Sequence, residues 1–167
     1  MLNSDKKILI AGAGGFGRDV LIALKTSFSD LRDAKEKFYF LDTAEFQATQ
    51  PRVHDAQVLL DKDFDPDVFQ VVVAIANPKI RSKIVEKLPP STKYFSFTHP
   101  SAIVTEWVKV GEGSVITAGC ILTTDIQIGK HAHLNVQTTI GHDCMIGDFF
   151  TTAPAVNVSG NCTIGNR

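Results

Sequence analysis

An excess of charge of either sign is missing from this 167-residue sequence: 17 basic side chains stand against 18 acidic ones, for a net charge of −1. A nucleic-acid or anionic-membrane surface would need a basic surplus, so neither is expected as the main partner. Long apolar runs are missing as well. None reaches the roughly 18 to 20 residues that span a bilayer, and the opening MLNSDKKILIAG is too short and wrongly ordered for a secretory leader. Cysteine is scarce, three residues in all, which points to a reducing, cytoplasmic setting. Glycine is absent from one part of the chain and charge is sparse in another. Four of the 12 glycines stand at 12, 14, 15 and 17, none between 18 and 100, and eight after 110. Residues 1–100 carry 27 charged side chains, residues 101–167 only eight. Two kinds of structure therefore meet near residue 100. What remains is 44% hydrophobic, enough for one ordinary domain or two small ones with a real core.

Residues 1–100 read as a short α/β unit. Lys7–Ala11 is an apolar run of strand type, followed by Gly12-Ala13-Gly14-Gly15-Phe16-Gly17 and a helical pattern with Val20, Leu21 and Leu24 on one face. A second strand, Lys37 to Asp42, closes on an acid 25 residues after Gly17. A third, Val71 to Ala76, leads through Asn77 and Pro78, an N-cap and first-turn pair, into a helix over about 79–88 that Pro89 and Pro90 stop. Strands alternating with helices imply a βαβαβ unit, half of a doubly wound Rossmann sheet. The glycine turn would let phosphates approach backbone N–H groups at the positive end of the first helix, and Asp42 could accept hydrogen bonds from a ribose. The alternative is structural: Gly12 and Gly17 serve only a tight turn and close helix–strand packing. An NAD-linked oxidoreductase would want the second half of the sheet, so a nucleotide is favoured over a dinucleotide.

Residues 101–167 repeat with a period of six. From Ser101 onward the fourth residues are Val104, Val110, Ile116, Leu122, Ile128, Leu134, Ile140, Ile146, Thr152, Val158 and Ile164, all but Thr152 branched aliphatics. The fifth is glycine at 111, 129, 141, 147 and 165. Residues two apart on a short strand share a face, so the second and fourth of each six point inward. Three sixes make one coil of 18 residues, and coils stack into a solenoid. The glycine after the fourth residue is expected to relieve crowding where the chain turns. All three cysteines hold the inward second position and read as core, not as metal ligands or nucleophiles. Outer faces so poor in charge need a partner, and a trimer around an axis parallel to the solenoid is the expected assembly.

The order of five elements resembles the hexapeptide-repeat sugar acyltransferases of the sialic acid O-acetyltransferase and bacillosamine N-acetyltransferase type. They are the glycine turn 12–17, the Phe40-Leu41-Asp42 strand end, Ala74-Ile75-Ala76-Asn77 with Arg81 following, the Thr98-His99-Pro100-Ser101-Ala102 lead-in, and the stretch from Ile140 to Asp148. The resemblance implies an α/β domain over 1–100 that holds a nucleotide-linked sugar, usually through UDP. It also implies a left-handed parallel β-helix over 101–167 that binds acetyl-CoA between subunits of a homotrimer, with no metal. Residue by residue, it makes His142 the general base and Asp143 the neighbour that makes that histidine more basic. Asn135 lies near the reacting group, Thr151 and the Gly160 N–H contact acetyl-CoA, the latter as oxyanion donor, and Gly14, Gly15 and Phe16 line the phosphate turn with Asp42 and Thr43 near the nucleoside. His131 and His133 read as solvated side chains or trimer contacts.

The implied function is acetyl transfer to a nucleotide-linked amino sugar for surface polysaccharide or glycan synthesis, with sugar O-acetylation as the second choice and a non-catalytic, truncated trimer that only binds nucleotide sugar as the third. Three departures from the family stand out. Phe16 replaces a more usual polar residue, Ala76 replaces a glycine, and the sequence ends at Arg167 after about 3.7 coils where the family continues by roughly two more.

Overall fold

The computed structural model describes residues 6–28 and 36–167; the opening residues 1–5 lie outside it. The chain divides into two compact units, Met1–Ile75 with Lys83–Phe95, and Ala76–Ser82 with Ser96–Arg167.

The first unit is built on a six-stranded sheet in the order β3-β4-β2-β1-β5-β6. Its central strands β1 (Lys7–Ala11) and β5 (Phe69–Val73) pair in parallel, and Ile8, Leu9, Ile10, Val71, Val72 and Val73 are wholly buried. Continuous apolar runs of this kind suit parallel strands covered on both faces. Between β1 and β5 in sequence come helix α1 (Gly15–Ser27), strand β2 (Phe38–Leu41), the short helix α2 (Ala44–Thr49) and the hairpin of β3 (Arg52–Val53) with β4 (Ala56–Leu59). Val20, Leu21 and Leu24 are buried as the helical spacing requires. The hairpin was not anticipated: its antiparallel pair turns at His54, at φ 52°, without an Asn-Gly signal. The third strand also ends earlier than its apolar run, at Val73 instead of Ala76.

Helix α3 (Pro78–Lys87) begins where expected. Asn77 Oδ1 accepts from the N–H groups of Lys79 and Ile80 at 3.0 and 3.2 Å, with Pro78 at the first helical position. The first unit's chain closes with β6 (Lys93–Tyr94), parallel to β5.

The second unit is a parallel β-helix. Ten short strands, β7 (Phe97–Thr98), β8 (Ile103–Val104), β9 (Val108–Val110), β10 (Val115–Ile116), β11 (Ile121–Leu122), β12 (Ile126–Ile128), β13 (His133–Leu134), β14 (Thr139–Ile140), β15 (Met145–Ile146) and β16 (Asn157–Val158), are followed by β17 (Thr163–Ile164). They sort into three parallel sheets, β7-β10-β13, β8-β11-β14-β16 and β9-β12-β15-β17. Every partner lies 18 residues away, as in Ile121 with Ile103 and Ile146 with Ile128. The inward second and fourth residues form one core around Ile116, Leu122, Ile126 and Leu134, in which Cys120 and Cys144 are fully buried and Cys162 packs at the edge.

Two details of the turns differ from expectation. Positive φ falls on the first residue of each six, from Gly113 and Gly119 through Asp125, His131, Gln137, Asp143, Phe149, Ala155 and Asn161. The fifth-position glycines serve a different purpose. A Cβ on Gly111, Gly129 or Gly147 would collide with the backbone of the glycine one coil further on. They therefore let coils approach each other; the turn's strain is carried elsewhere. Thr152, the polar fourth residue, is explained by a buried hydroxyl pair: its Oγ1 lies 2.8 Å from Thr138 Oγ1 and accepts from the Asn135 N–H at 2.8 Å.

Candidate active site

His142 is the last residue of its six, separated from strand β14 by Gly141, and Asp143 opens the next turn at φ 58°. Aspartate tolerates this left-handed conformation. It brings the carboxylate back onto its neighbour, so that His142 Nδ1 and Asp143 Oδ2 stand 2.7 Å apart. More than half of each side chain is exposed, so the pair adds little to stability. Its effect is orientation: a carboxylate on Nδ1 holds the proton there and leaves Nε2 as the accepting nitrogen. Beneath the ring lies Gly160, one coil on. A Cβ at that position would meet His142 Cε1 and Nε2 at 2.8 Å. Among the described residues the Gly160 N–H donates to no group. An imidazole acceptor and an unspent backbone donor thus share one corner of the coil.

The other residues named for acyl chemistry stand elsewhere on the same coils. Asn135 lies between β13 and β14, its Oδ1 accepting from the Val136 N–H at 2.9 Å. Thr151 bridges to His133 on a different sheet and faces Arg81 and Ala76. Within one chain, therefore, Thr151 and His142 are not brought together.

Arg81 is fully buried, and sequence reasoning noted it only as the residue following Asn77. Its guanidinium donates to the carbonyls of His131 (2.9 Å), Phe149 (2.6 Å) and Ala76 (3.2 Å) and to Thr151 Oγ1 (2.7 Å), and lies 3.1 Å from His133 Nδ1. Burial lowers its pKa to about 10. This arginine overturns the expectation for the two histidines. His131 and His133 are buried, with 4% and 1% of their surface exposed. Strand direction does point His133 outward, but the segment that carries Arg81 covers that sheet. His131 stacks on Phe149 with ring centroids 5.2 Å apart. Burial, then the Arg81 and Lys130 charges, lowers its pKa from 6.5 to about 4, against an opposing pull from Asp148. The sequence signal for the cluster was weak: a lone arginine one turn into a capped helix, and two histidines in a charge-poor stretch.

The first unit holds a cavity of about 440 Å³, lined by Gly12, Asp42, Thr43, Asp61, Phe64 and Lys87 among others. Gly12 follows β1 and Asp42 follows β2, so the cavity opens at the carboxyl ends of parallel strands, where doubly wound sheets take their ligands. Asp42 is already engaged. Its Oδ2 accepts from the Ala13 N–H at 2.7 Å and its Oδ1 from the Thr43 N–H at 2.8 Å, which ties the glycine turn to the end of β2. Thr43 in turn caps α2. The four early glycines have different duties. Gly12 adopts φ 106°, and a Cβ on Gly17 would run into the Gly12 carbonyl. Gly14 and Gly15 meet nothing within 4 Å and are exposed at the start of α1, with half-buried Phe16 beside them; none of these three lines the cavity. No group of three or more metal-ligating side chains occurs among the described residues, and no helix there is long and apolar enough to cross a membrane.

Comparison with known proteins bears on both units. The family model of the PglD N-terminal domain matches residues 7–88. GDP-perosamine N-acetyltransferase of Escherichia coli O157:H7 is 28% identical over 159 residues, 93% of this chain and 71% of that protein. Among solved structures, WeeI from Acinetobacter baumannii AYE superposes with a TM-score of 0.85 at 31% identity, over 96% of this chain and 75% of that one. A histidine-to-asparagine mutant of perosamine N-acetyltransferase from Caulobacter crescentus, in complex with CoA and GDP-perosamine, gives 0.73 at 25% identity over the same shares.

Proposed function

The chain belongs to the hexapeptide-repeat sugar acyltransferases, and on that footing we propose that it transfers the acetyl group of acetyl-CoA to the amino group of a nucleotide-linked sugar. The observation that carries this reading is the His142–Asp143 pair set over the free N–H of Gly160. In the reaction the sugar amine attacks the thioester carbonyl, and the new C–N bond forms as the carbonyl oxygen takes up negative charge. His142 Nε2 accepts the proton that the amine loses, with Asp143 holding the ring and balancing the imidazolium. The Gly160 N–H donates to the developing oxyanion. The C–S bond then breaks and the proton passes to the departing thiolate. An amine is favoured over a hydroxyl because the relatives carrying a functional name are N-acetyltransferases. The carrier is a nucleoside diphosphate; the resemblance implies UDP, and the relatives divide, two being named for or bound to a GDP-linked sugar and a third, of Bacillus subtilis, being named for a UDP-linked one. Both substrates of such a reaction belong to the cytoplasm.

Catalysis takes place at a seam between copies of the chain. The sheet that carries β14 into His142 also presents Ile103 and Ile121 outward, 59% and 39% exposed, in line with Thr139 and Asn157. A homotrimer closed on this face would cover the isoleucines and supply Thr151 and Asn135 from neighbouring subunits.

The test is to incubate the chain with acetyl-CoA and GDP- and UDP-linked 4-amino sugars and to follow free thiol. Release of CoA that His142→Ala reduces by two or more orders of magnitude is expected. No release would leave a protein that binds nucleotide sugar without acetyl transfer, and an undiminished rate in the variant would remove His142 as the base. In light scattering, Ile121→Asp is expected to convert a trimer to monomers and abolish turnover; a parent chain that is itself monomeric would sink the seam.

A further inference from the structure

Cys144 is fully buried in the β-helix core and takes no part in the chemistry assigned to His142 and Asp143. Its backbone is fixed, because its carbonyl accepts from the Gln127 N–H of the preceding coil at 2.9 Å. From that rung its thiol donates to the Ser159 carbonyl, sulfur and oxygen standing 3.2 Å apart. Among the described residues that carbonyl accepts from no other donor. Ser159 C=O and Gly160 N–H belong to one peptide group. No peptide bond among the described residues is cis, and in a trans peptide the C=O and N–H point in opposite directions. A carbonyl turned inward to the thiol therefore sends the Gly160 N–H away from the core. The same arrangement occurs at Cys120, whose thiol lies 3.2 Å from the carbonyl of Asn135, again 15 residues on. There the following N–H, of Val136, is spent on Asn135 Oδ1. At Gly160 it is left unspent.

We infer that Cys144 is a positioning residue for acetyl transfer: its thiol holds the Ser159–Gly160 peptide so that the Gly160 N–H faces the oxyanion, a role that rests on the acetyl-transfer reading of that N–H. Glycine has no Cβ to hinder rotation of the peptide plane beside it, so an unanchored plane at this corner turns easily. An oxyanion donor is effective because it is aimed before the charge appears. The thiol supplies that aim from inside the core. A hydrogen bond accepted by the C=O also polarises the N–H of the same group and strengthens its donation. The sulfur forms no bond to substrate; it acts only through the peptide it holds.

Steady-state kinetics of the full chain, with acetyl-CoA and the GDP- or UDP-linked 4-amino sugar that the parent acetylates, test this on three variants. Cys144→Ala removes the donor and Cys144→Ser keeps one. Ile126→Val trims the core rung one coil before Cys144 and removes no polar group. Cys144→Ala is expected to lower kcat roughly 10-fold, part of the roughly 100- to 1,000-fold that loss of an oxyanion donor costs. KM for acetyl-CoA should stay level, because the N–H acts on charge that develops only in the transition state. Cys144→Ser should recover most of the rate, and Ile126→Val should keep the parent kcat although it melts at a lower temperature. Parent-level kcat in Cys144→Ala, or an equal loss in Cys144→Ser or in Ile126→Val, overturns the positioning role and leaves the acetyl-transfer reading standing. A parent chain without turnover overturns both.

Discussion

The imidazole of His142 rests on the Cα of Gly160, so close that a methyl group there would meet Nε2 and Cε1 at 2.8 Å. The two residues are 18 apart in sequence, one coil, and the stacking of coils alone brings them together. Gly160→Ala should therefore push the ring aside without damage to the core, since the atoms displaced are an exposed side chain. The expected outcome is a loss in kcat/KM on the order of 100-fold, from misplacement of the base, with a melting temperature close to that of the parent. A variant that retains full activity would show that the base acts from another position.

The glycines of the first turn should separate by assay. Gly17→Ala drives a methyl group into the Gly12 carbonyl, which belongs to the backbone and cannot yield, so loss of soluble folded protein is expected. Gly15→Ala opens α1 at an exposed position with nothing within 4 Å, and the melting temperature should stay level or rise slightly. If Gly15 closely approaches phosphate, the same variant weakens nucleotide-sugar binding, measurable by titration; unchanged affinity would remove it from the binding surface.

Stability should depend on pH through His131. Its folded pKa of about 4 lies below the ordinary 6.5, so in this range the unfolded chain binds a proton that the folded one refuses. The contribution is complete above pH 6.5 and falls away as the pH drops towards 4, by about 3 kcal/mol in all. Urea denaturation at pH 7.5 and pH 4.5 measures it. His131→Phe, which keeps the stack on Phe149, should flatten the slope over that interval.

The buried hydroxyl pair gives a fourth expectation. Thr152→Val strands the Thr138 hydroxyl and the Asn135 N–H in the β-helix core and should cost about 1–3 kcal/mol. Adding Thr138→Val removes one of the stranded groups, so the double variant should be less destabilised than the sum of the two singles. A strictly additive pair in denaturant titrations would mean that the hydroxyls are independent.

Much of the architecture was legible from local spacing. Leu122, Ile128 and Ile140 point inward because a strand has period two, and the six-residue register repeats that instruction along the whole second unit. Asn77 before Pro78 marked the start of α3, because an amide oxygen two residues ahead of a free N–H is a complete local reason for a helix to begin. The β3–β4 hairpin was not legible: His54 at its turn adopts a left-handed conformation that its identity does not announce. Nor did the turn signal lie where the glycines suggested. Asp143, Phe149 and Ala155 carry positive φ without being glycine, while Gly129 and Gly147 are required by neighbouring backbone.

The sequence by itself determined the two kinds of structure, the 18-residue coil, the inward cysteines and the adjacency of His142 to Asp143, because each depends on residues within a turn or a strand of one another. The tertiary structure alone decided what covers the outward faces. His133 points away from the core yet is buried, because Arg81, 52 residues earlier, donates hydrogen bonds across that sheet. The coil also sets Gly160 under His142. Spacing tells a side chain which way to point; only the packing of distant segments tells it what it will meet.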